Sequence, residues 1–217
     1  MDNNHPLIPI LKGVSIDSCP YKLNFHTHTK YSDGSLDPIE LYEKANKNGL
    51  KHLAITDHHN FEAYKDINNY LKEITNKSFF KTKIWSGIEI TGLLNGVMVH
   101  ILALGFDPYN PILEKYSRGD APKGEDLKAE NILKSISLAN GLSILAHPAR
   151  YKIHYEKIIE FAYLIGFDGV EVWYDYERNN IWSPSNFVCG KIKIQVDRYK
   201  MLSSCGTDTH GISLLRR

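Results

Sequence analysis

Short apolar runs recur along this chain, separated by stretches of helical length, and most of them stop at a histidine or an aspartate. Residues 23–25 read as a strand that ends in His26-Thr27-His28. Strand side chains alternate, so His26 and His28 face the same way. Asp37-Pro38 then starts a helix, and Leu41, Ala45 and Gly49 place its end near Asn48. Residues 51–56 form a strand running into Asp57-His58-His59, and residues 61–73 a second helix. Residues 83–90 read as a third strand. Asn95-Gly96 is a hairpin signal, followed by a long apolar strand over 97–106 that His100 interrupts. A loop at 107–124 leads to a helix at 125–140 and a buried strand at 142–146, which ends in His147-Pro148-Ala149-Arg150. A helix at 156–165, a strand at 169–173 and a helix near 185–200 follow. The last strand, 201–205, delivers Gly206-Thr207-Asp208-Thr209-His210.

Seven short strands, mostly separated by helices, imply an α/β architecture with a largely parallel sheet. The hairpin between strands three and four breaks strict alternation. The expectation is a distorted seven-stranded (β/α)7 TIM-like barrel, with its chemistry at the C-terminal ends of the strands. At 217 residues one domain suffices: a barrel over 23–217, with the proline-broken residues 1–22 as an arm packed on its outside. Net charge is +1, so no global field draws the chain to nucleic acid or a membrane, and any phosphate recognition must be local. No apolar run reaches transmembrane length and the start is not a signal peptide. Cys19, Cys189 and Cys205 lack CxxC spacing and read as reduced thiols of a cytoplasmic protein.

The strand-end groups carry the chemistry. They are His26, His28, Asp33, Asp57, His58, Glu89, His147, Asp208 and His210, with His100 brought near Glu89 by the hairpin. That is too many donors for one tetrahedral ion. Imidazole mixed with carboxylate, without thiolate, suits zinc, manganese or iron. A carboxylate such as Glu89 can bridge two ions, which together generate hydroxide at neutral pH without a protein nucleophile. No nucleophile elbow, Walker loop or dinucleotide fingerprint is present. Metal-assisted hydrolysis is the reaction class these residues support. Arg150, three residues after His147, can grip phosphate in a bidentate fork, and Lys30, two residues beyond His28, is a second substrate-binding candidate. Asp57 and His59 read as groups behind the ligands. Tyr174, Tyr176 and Trp182 read as pocket lining or rim packing.

FHTHTKYSDG, ITDHH, GIEI, VHILALGF, LAHPAR and CGTDTHG stand in the order of the motifs of the PHP (polymerase and histidinol phosphatase) family, which the chain resembles from about Leu23 to Gly211. The resemblance implies three divalent metals. His26, His28, Glu89 and Asp208 would hold the first. Glu89 would bridge to the second, completed by His100 and His147, and Asp33, His58 and His210 would hold the third. It also implies a phosphoesterase in which a metal-bridging hydroxide attacks a small phosphate monoester, a nucleotide or a sugar or alcohol phosphate. Asp208 would serve as proton shuttle. One departure is His59, where the family often has aspartate. Some nucleotide-acting relatives carry an inserted helical domain where residues 106–142 here leave room for one loop and one helix. The expected partner is a small phosphorylated substrate. No basic patch with interleaved aromatics supports an extended nucleic acid, and no membrane contact is expected. The alternatives are an oligonucleotide exonuclease or phosphodiesterase, and a non-catalytic, metal-stabilised barrel serving a partner.

Overall fold

Asp37 opens the first long helix as its sequence dictates: its side chain accepts the Ile39 N–H at 3.0 Å, and Pro38 occupies the first helical position. The computed structural model, which describes residues 4–74, 79 and 81–216, places this helix between the first two of eight strands. Strands β1 (Leu23–Asn24), β2 (His52–Ala54) and β3 (Lys83–Trp85) pair in parallel, in that order. Strands β4 (Gly87–Leu94), β5 (Val97–Leu104), β6 (Leu142–Leu145), β7 (Gly169–Trp173) and β8 (Leu202–Cys205) form a second sheet in chain order. Its β4–β5 and β5–β6 pairs are antiparallel and the rest are parallel. The β4–β5 hairpin turns at Asn95 and Gly96, both at positive φ (47° and 81°), as its sequence signal requires.

Among the described residues this is eight strands in two sheets, not one closed barrel of seven. The mixed α/β class is as expected; the strand count is corrected at Ser86. Residues 83–90, read from the sequence as one strand, break there. Ser86 Oγ donates to the Phe106 carbonyl at 2.6 Å, and the Ser86 carbonyl accepts the Gly105 N–H at 2.8 Å. β3 therefore pairs with β2 while β4 turns to β5. Only glycine fits next in the chain, because a Cβ at Gly87 would lie 2.5 Å from the Ile55 carbonyl oxygen.

Backbone hydrogen bonds join the sheets at two seams. At one, the Glu89 N–H donates to the Asp57 carbonyl at 3.2 Å, and the Glu89 carbonyl accepts the His59 N–H at 3.0 Å. At the other, Phe25 N–H donates to Cys205 O, Asp208 N–H to His26 O and His28 N–H to Thr209 O, at 2.8–3.1 Å. Both seams run through predicted site residues.

Helices α2 (Pro38–Lys47) and α3 (Glu62–Glu73) cover the three-stranded sheet, burying Leu41, Ala45 and Ile67 with Leu53, Ile55 and Ile84. Helices α4 (Ala129–Leu138), α5 (Tyr155–Ile165) and α6 (Asn186–Arg198) cover the other with Ile132, Ile136, Ile158, Ile159 and Ile192. The N-terminal arm packs on the second sheet through apolar side chains. It forms helix α1 (Ile8–Lys12), and Leu7 and Leu11 are fully buried among Leu102, Leu104, Ile144 and Leu202. Burial of each such leucine is worth about 1.5–3 kcal/mol. His5 reinforces the contact, with Nε2 3.1 Å from the Gly105 carbonyl. All three cysteines are free and buried. No described helix is long and apolar enough to cross a membrane.

Candidate metal centre

β1 is short, but its extended course continues through His28. Alternation then brings Asn24, His26 and His28 to one side, all fully buried. The seam to β8 aligns them with Asp208, whose φ of 51° is in the left-handed region; His147, just after β6, is there too at 28°. Non-glycine residues persist in such conformations only where the surroundings enforce them, and such positions cluster at functional sites.

Glu89, central in β4 and 1% exposed, is surrounded by five imidazoles. Its Oε2 lies 3.1 Å from His26 Nε2, 3.2 Å from His28 Nε2 and 3.5 Å from His58 Nδ1. Its Oε1 lies 2.6 Å from His100 Nδ1 and 3.4 Å from His147 Nε2. Asp208 Oδ1 approaches His26 and His28 Nε2 at 3.3 and 3.2 Å. Asp33 Oδ2, at the exposed rim, lies 3.2 Å from His210 Nε2 and 3.8 Å from His58 Nε2.

These donors fall into three groups: His26, His28, Glu89 and Asp208; His58, Glu89 and His100; and His28, Asp33, His58 and His210. Eight of the nine sequence-predicted ligands fall in these groups, and His58 rather than His147 joins Glu89 and His100 in the second. His28 stands between two groups, with Nδ1 3.6 Å from Asp33 and Nε2 towards Glu89. His147 stands against Glu89 beside the second group.

Apart from His26 Nε2 with Glu89 Oε2, these close approaches are not hydrogen bonds. Both ring nitrogens of His28 and His147, His100 Nδ1 and Glu89 Oε1 are buried without a well-aligned hydrogen-bond partner. Leaving a buried polar atom unsatisfied costs about 1–3 kcal/mol, so a cluster of them aimed at one another is unfavourable unless a cation fills the gaps. The donor set fits divalent metal ions.

A family model described as PHP domain matches residues 24–169. The chain belongs to the PHP family. A 5'-3' exoribonuclease of Haemophilus influenzae is 28% identical over 149 residues, which are 63% of this chain and 52% of that protein. A 3',5'-nucleoside bisphosphate phosphatase of Chromobacterium violaceum is 30% identical over 92 residues, 42% of this chain and 30% of the relative. This PHP chain spans about half, or less, of the length of these curated relatives. Among solved structures, a protein of Chromobacterium violaceum described as an amidohydrolase superposes with a TM-score of 0.72 at 19% identity, covering 90% of this chain and 89% of its own. A protein of Bifidobacterium adolescentis described as a metal-dependent phosphoesterase gives 0.72 at 18%, covering 91% of each. At these identities the neighbours show the fold.

The electrostatics of the PHP centre follow from crowding imidazoles around buried carboxylates. Burial opposes protonation of His26, but Glu171, Glu89 and Asp208 outweigh it and raise its pKa well above the usual value. His28 is pushed up to about 9 in the same way, burial being outweighed by the nearby carboxylates of Asp208 and Glu89. His58 goes the other way, to about 4, because burial reinforced by His28 and His100 outweighs the pull of Glu89. Burial would raise Glu89 and Asp208, yet the surrounding histidines hold both well below the usual carboxylate range.

Arg150 reaches the centre. Its Nη1 donates to Asp208 Oδ2 at 3.0 Å and to the Tyr174 hydroxyl at 3.2 Å, while the side chain stays 36% exposed. Lys30 is exposed, and among the described residues its side chain forms no hydrogen bond or ion pair with the cluster. Asp57, read as standing behind the ligands, accepts from Thr29 N–H, Thr29 Oγ1 and Ser32 Oγ, each at 2.6 Å, and so shapes the loop that carries Asp33. His59 is buried, its Nε2 3.1 Å from Thr91 Oγ1. Tyr174 is fully buried and donates to Asp208 Oδ2 at 2.6 Å; Trp182 packs in the core by the arm.

Sequence reasoning missed Glu171. It is fully buried in β7, with Oε1 2.9 Å from His26 Nδ1, and Oε2 accepts the His147 N–H at 2.8 Å. The available signal was a lone charge inside the apolar strand Gly-Val-Glu-Val-Trp, where carboxylates are almost never buried without a partner.

Proposed function

We propose that this PHP domain is a metal-dependent phosphoesterase acting on small phosphate monoesters, with His26, His28, Asp33, His58, Glu89, His100, His147, Asp208 and His210 holding three divalent ions of zinc, manganese or iron. The observation that carries the reading is Glu89 buried among five imidazoles whose nitrogens largely lack hydrogen-bond partners. Bound there, the ions would activate a water and neutralise phosphate charge.

The chain's own groups do the rest. Arg150 gives Nη1 to Asp208 and Tyr174, and its side chain, 36% exposed, has further donors to offer phosphate oxygens. Asp208, positioned by Arg150 and Tyr174, is the proton shuttle of this reading, taking the proton of the attacking water and returning it to the leaving oxygen. A P–O bond to water forms, the ester P–O bond breaks, and phosphate and alcohol are released. Glu171 and Tyr174 hold His26 and Asp208 in place for this.

The test is metal analysis combined with turnover of p-nitrophenyl phosphate and a panel of phosphate monoesters under manganese, zinc and iron. Metal-loaded protein that turns over none of them sinks the proposal. A second reading is supported by the relatives named 5'-3' exoribonuclease in Haemophilus influenzae and Salmonella typhimurium: removal of nucleotides from the 5′ end of an oligonucleotide. Short 5′-phosphorylated oligonucleotides in the same panel separate the two by product.

A further inference from the structure

The ladder between β5 and β6 changes character where the two strands reach the metal centre. Their register, with Ile101 opposite Leu145, continues to set His100 opposite Ala146, the residue before His147. In an antiparallel ladder the two residues of a hydrogen-bonded pair exchange both N–H···O bonds. Here one bond is direct, the Ala146 N–H donating to the His100 carbonyl at 3.0 Å. The other is relayed. The His100 N–H donates to the Tyr151 hydroxyl at 2.8 Å, and that hydroxyl donates to the Ala146 carbonyl at 3.0 Å. Tyr151 is thus a wedge between the strands, with its ring 5.6 Å from that of His147.

The wedge bears on His147 through one peptide plane. The Ala146 carbonyl and the His147 N–H belong to the same planar group and point opposite ways. Tyr151 holds the carbonyl end, and Glu171 Oε2 holds the N–H end at 2.8 Å. Clamped at both ends, the plane resists rotation, which keeps His147 at its strained φ of 28°. His147 Nε2 then faces Glu89 Oε1 at 3.4 Å. His100 Nδ1, on the strand across the wedge, faces the same oxygen at 2.6 Å. One hydroxyl therefore touches the backbone on both sides of the pair of imidazoles.

We infer that the Tyr151 hydroxyl is the positioning group for the ion proposed at Glu89, His100 and His147, fixing the gap that the two imidazoles span. The inference rests on the three-ion reading and deepens it. Without the hydroxyl, the His100 N–H and the Ala146 carbonyl are free to meet directly, as in an unbroken ladder. Closing the strands in that way draws His147 off its line to Glu89. Asp33, His58 and His210 follow β1, β2 and β8, so the ion proposed there does not feel the change.

The experiment equilibrates metal-free protein with zinc against a competing chelator and counts the ions bound. Tyr151→Phe keeps the ring and removes only the relay. It should weaken one ion about 10- to 100-fold, the range for groups that orient metal ligands, and leave the others in place. His147→Ala should strip the same ion, so the double variant should bind as much zinc as His147→Ala alone. Asp33→Ala removes a ligand of a different ion, and its loss should add to that of Tyr151→Phe. An unchanged zinc profile in Tyr151→Phe, loss of all its ions together, or a further loss on top of His147→Ala overturns this inference alone. Unsubstituted protein that binds no zinc overturns the metal-centre reading and this inference with it.

Discussion

Glu171 Oε1 lies 2.9 Å from His26 Nδ1, so the ring's other nitrogen, Nε2, is turned towards Glu89 and Asp208. A carboxylate behind a ligating histidine fixes its tautomer and raises its basicity. Glu171→Gln should therefore weaken metal binding by about 10- to 100-fold while leaving the fold intact. Competition against a chromogenic chelator measures it; unchanged affinity would show that Glu171 serves only to cap the His147 N–H.

Proton linkage gives a second prediction. Because the folded pKa of His28 is raised from 6.5 to about 9, its contribution to the stability of metal-free protein is fully present below pH 6.5 and is lost as pH rises through about 9. His58, lowered to about 4, contributes oppositely: its penalty grows as pH falls from 6.5 towards 4. In chelator, Tm should thus be highest near pH 6.5 and decline on both sides. Metals need neutral imidazole, so loading at pH 7 should release protons, detectable as buffer-dependent binding heats.

Among the described residues Asp57 makes no hydrogen bond to a predicted ligand's side chain, yet it holds three donors of the loop before Asp33. Asp57→Ala leaves them without an acceptor and should cost about 2–4 kcal/mol in denaturant unfolding. The metal proposed at Asp33, His58 and His210 should be lost first, so stoichiometry should fall by one ion before activity collapses. Loss of all metals together would refute the selective role.

Arg150→Ala should raise KM for phosphomonoesters about tenfold or more, as removal of a charged substrate contact does, with metal content unchanged. Unaltered kinetics would remove Arg150 from the substrate site.

Gly206 offers a steric test. A Cβ there would stand 2.2 Å from His26 Cβ and 2.6 Å from its backbone nitrogen. Gly206→Ala must push the β1 and β8 extensions apart, and overpacking of this kind costs about 1–3 kcal/mol. Stability and metal affinity should fall together; a neutral variant would contradict the tight seam.

The histidines at strand ends were legible because a short apolar run stopping at His-x-His or Asp-His leaves few structural explanations. Their grouping was legible only through motif order, since no periodicity says that Glu89 and His147 meet. Ser86 concealed the break between β3 and β4 because a serine flanked by apolar residues looks like strand; its bond to Phe106 comes from 20 residues away. The sequence reads as an arm packing on the barrel, but which of its residues pack was not legible, because Leu7 and Leu11 cluster with Leu102, Leu104, Ile144 and Leu202, far away in the chain, and local sequence does not encode that. Glu171 escaped because one carboxylate in a strand has no motif of its own.

Glu89 is both the carboxylate among the imidazoles and, through its backbone, the stitch between β2's extension and β4. A cation clasping its side chain therefore also clamps the join between the two sheets. Amide exchange at Glu89 and His59 becomes a gauge of occupancy, and whatever strips the ions should let the two halves of the molecule breathe apart along that line first.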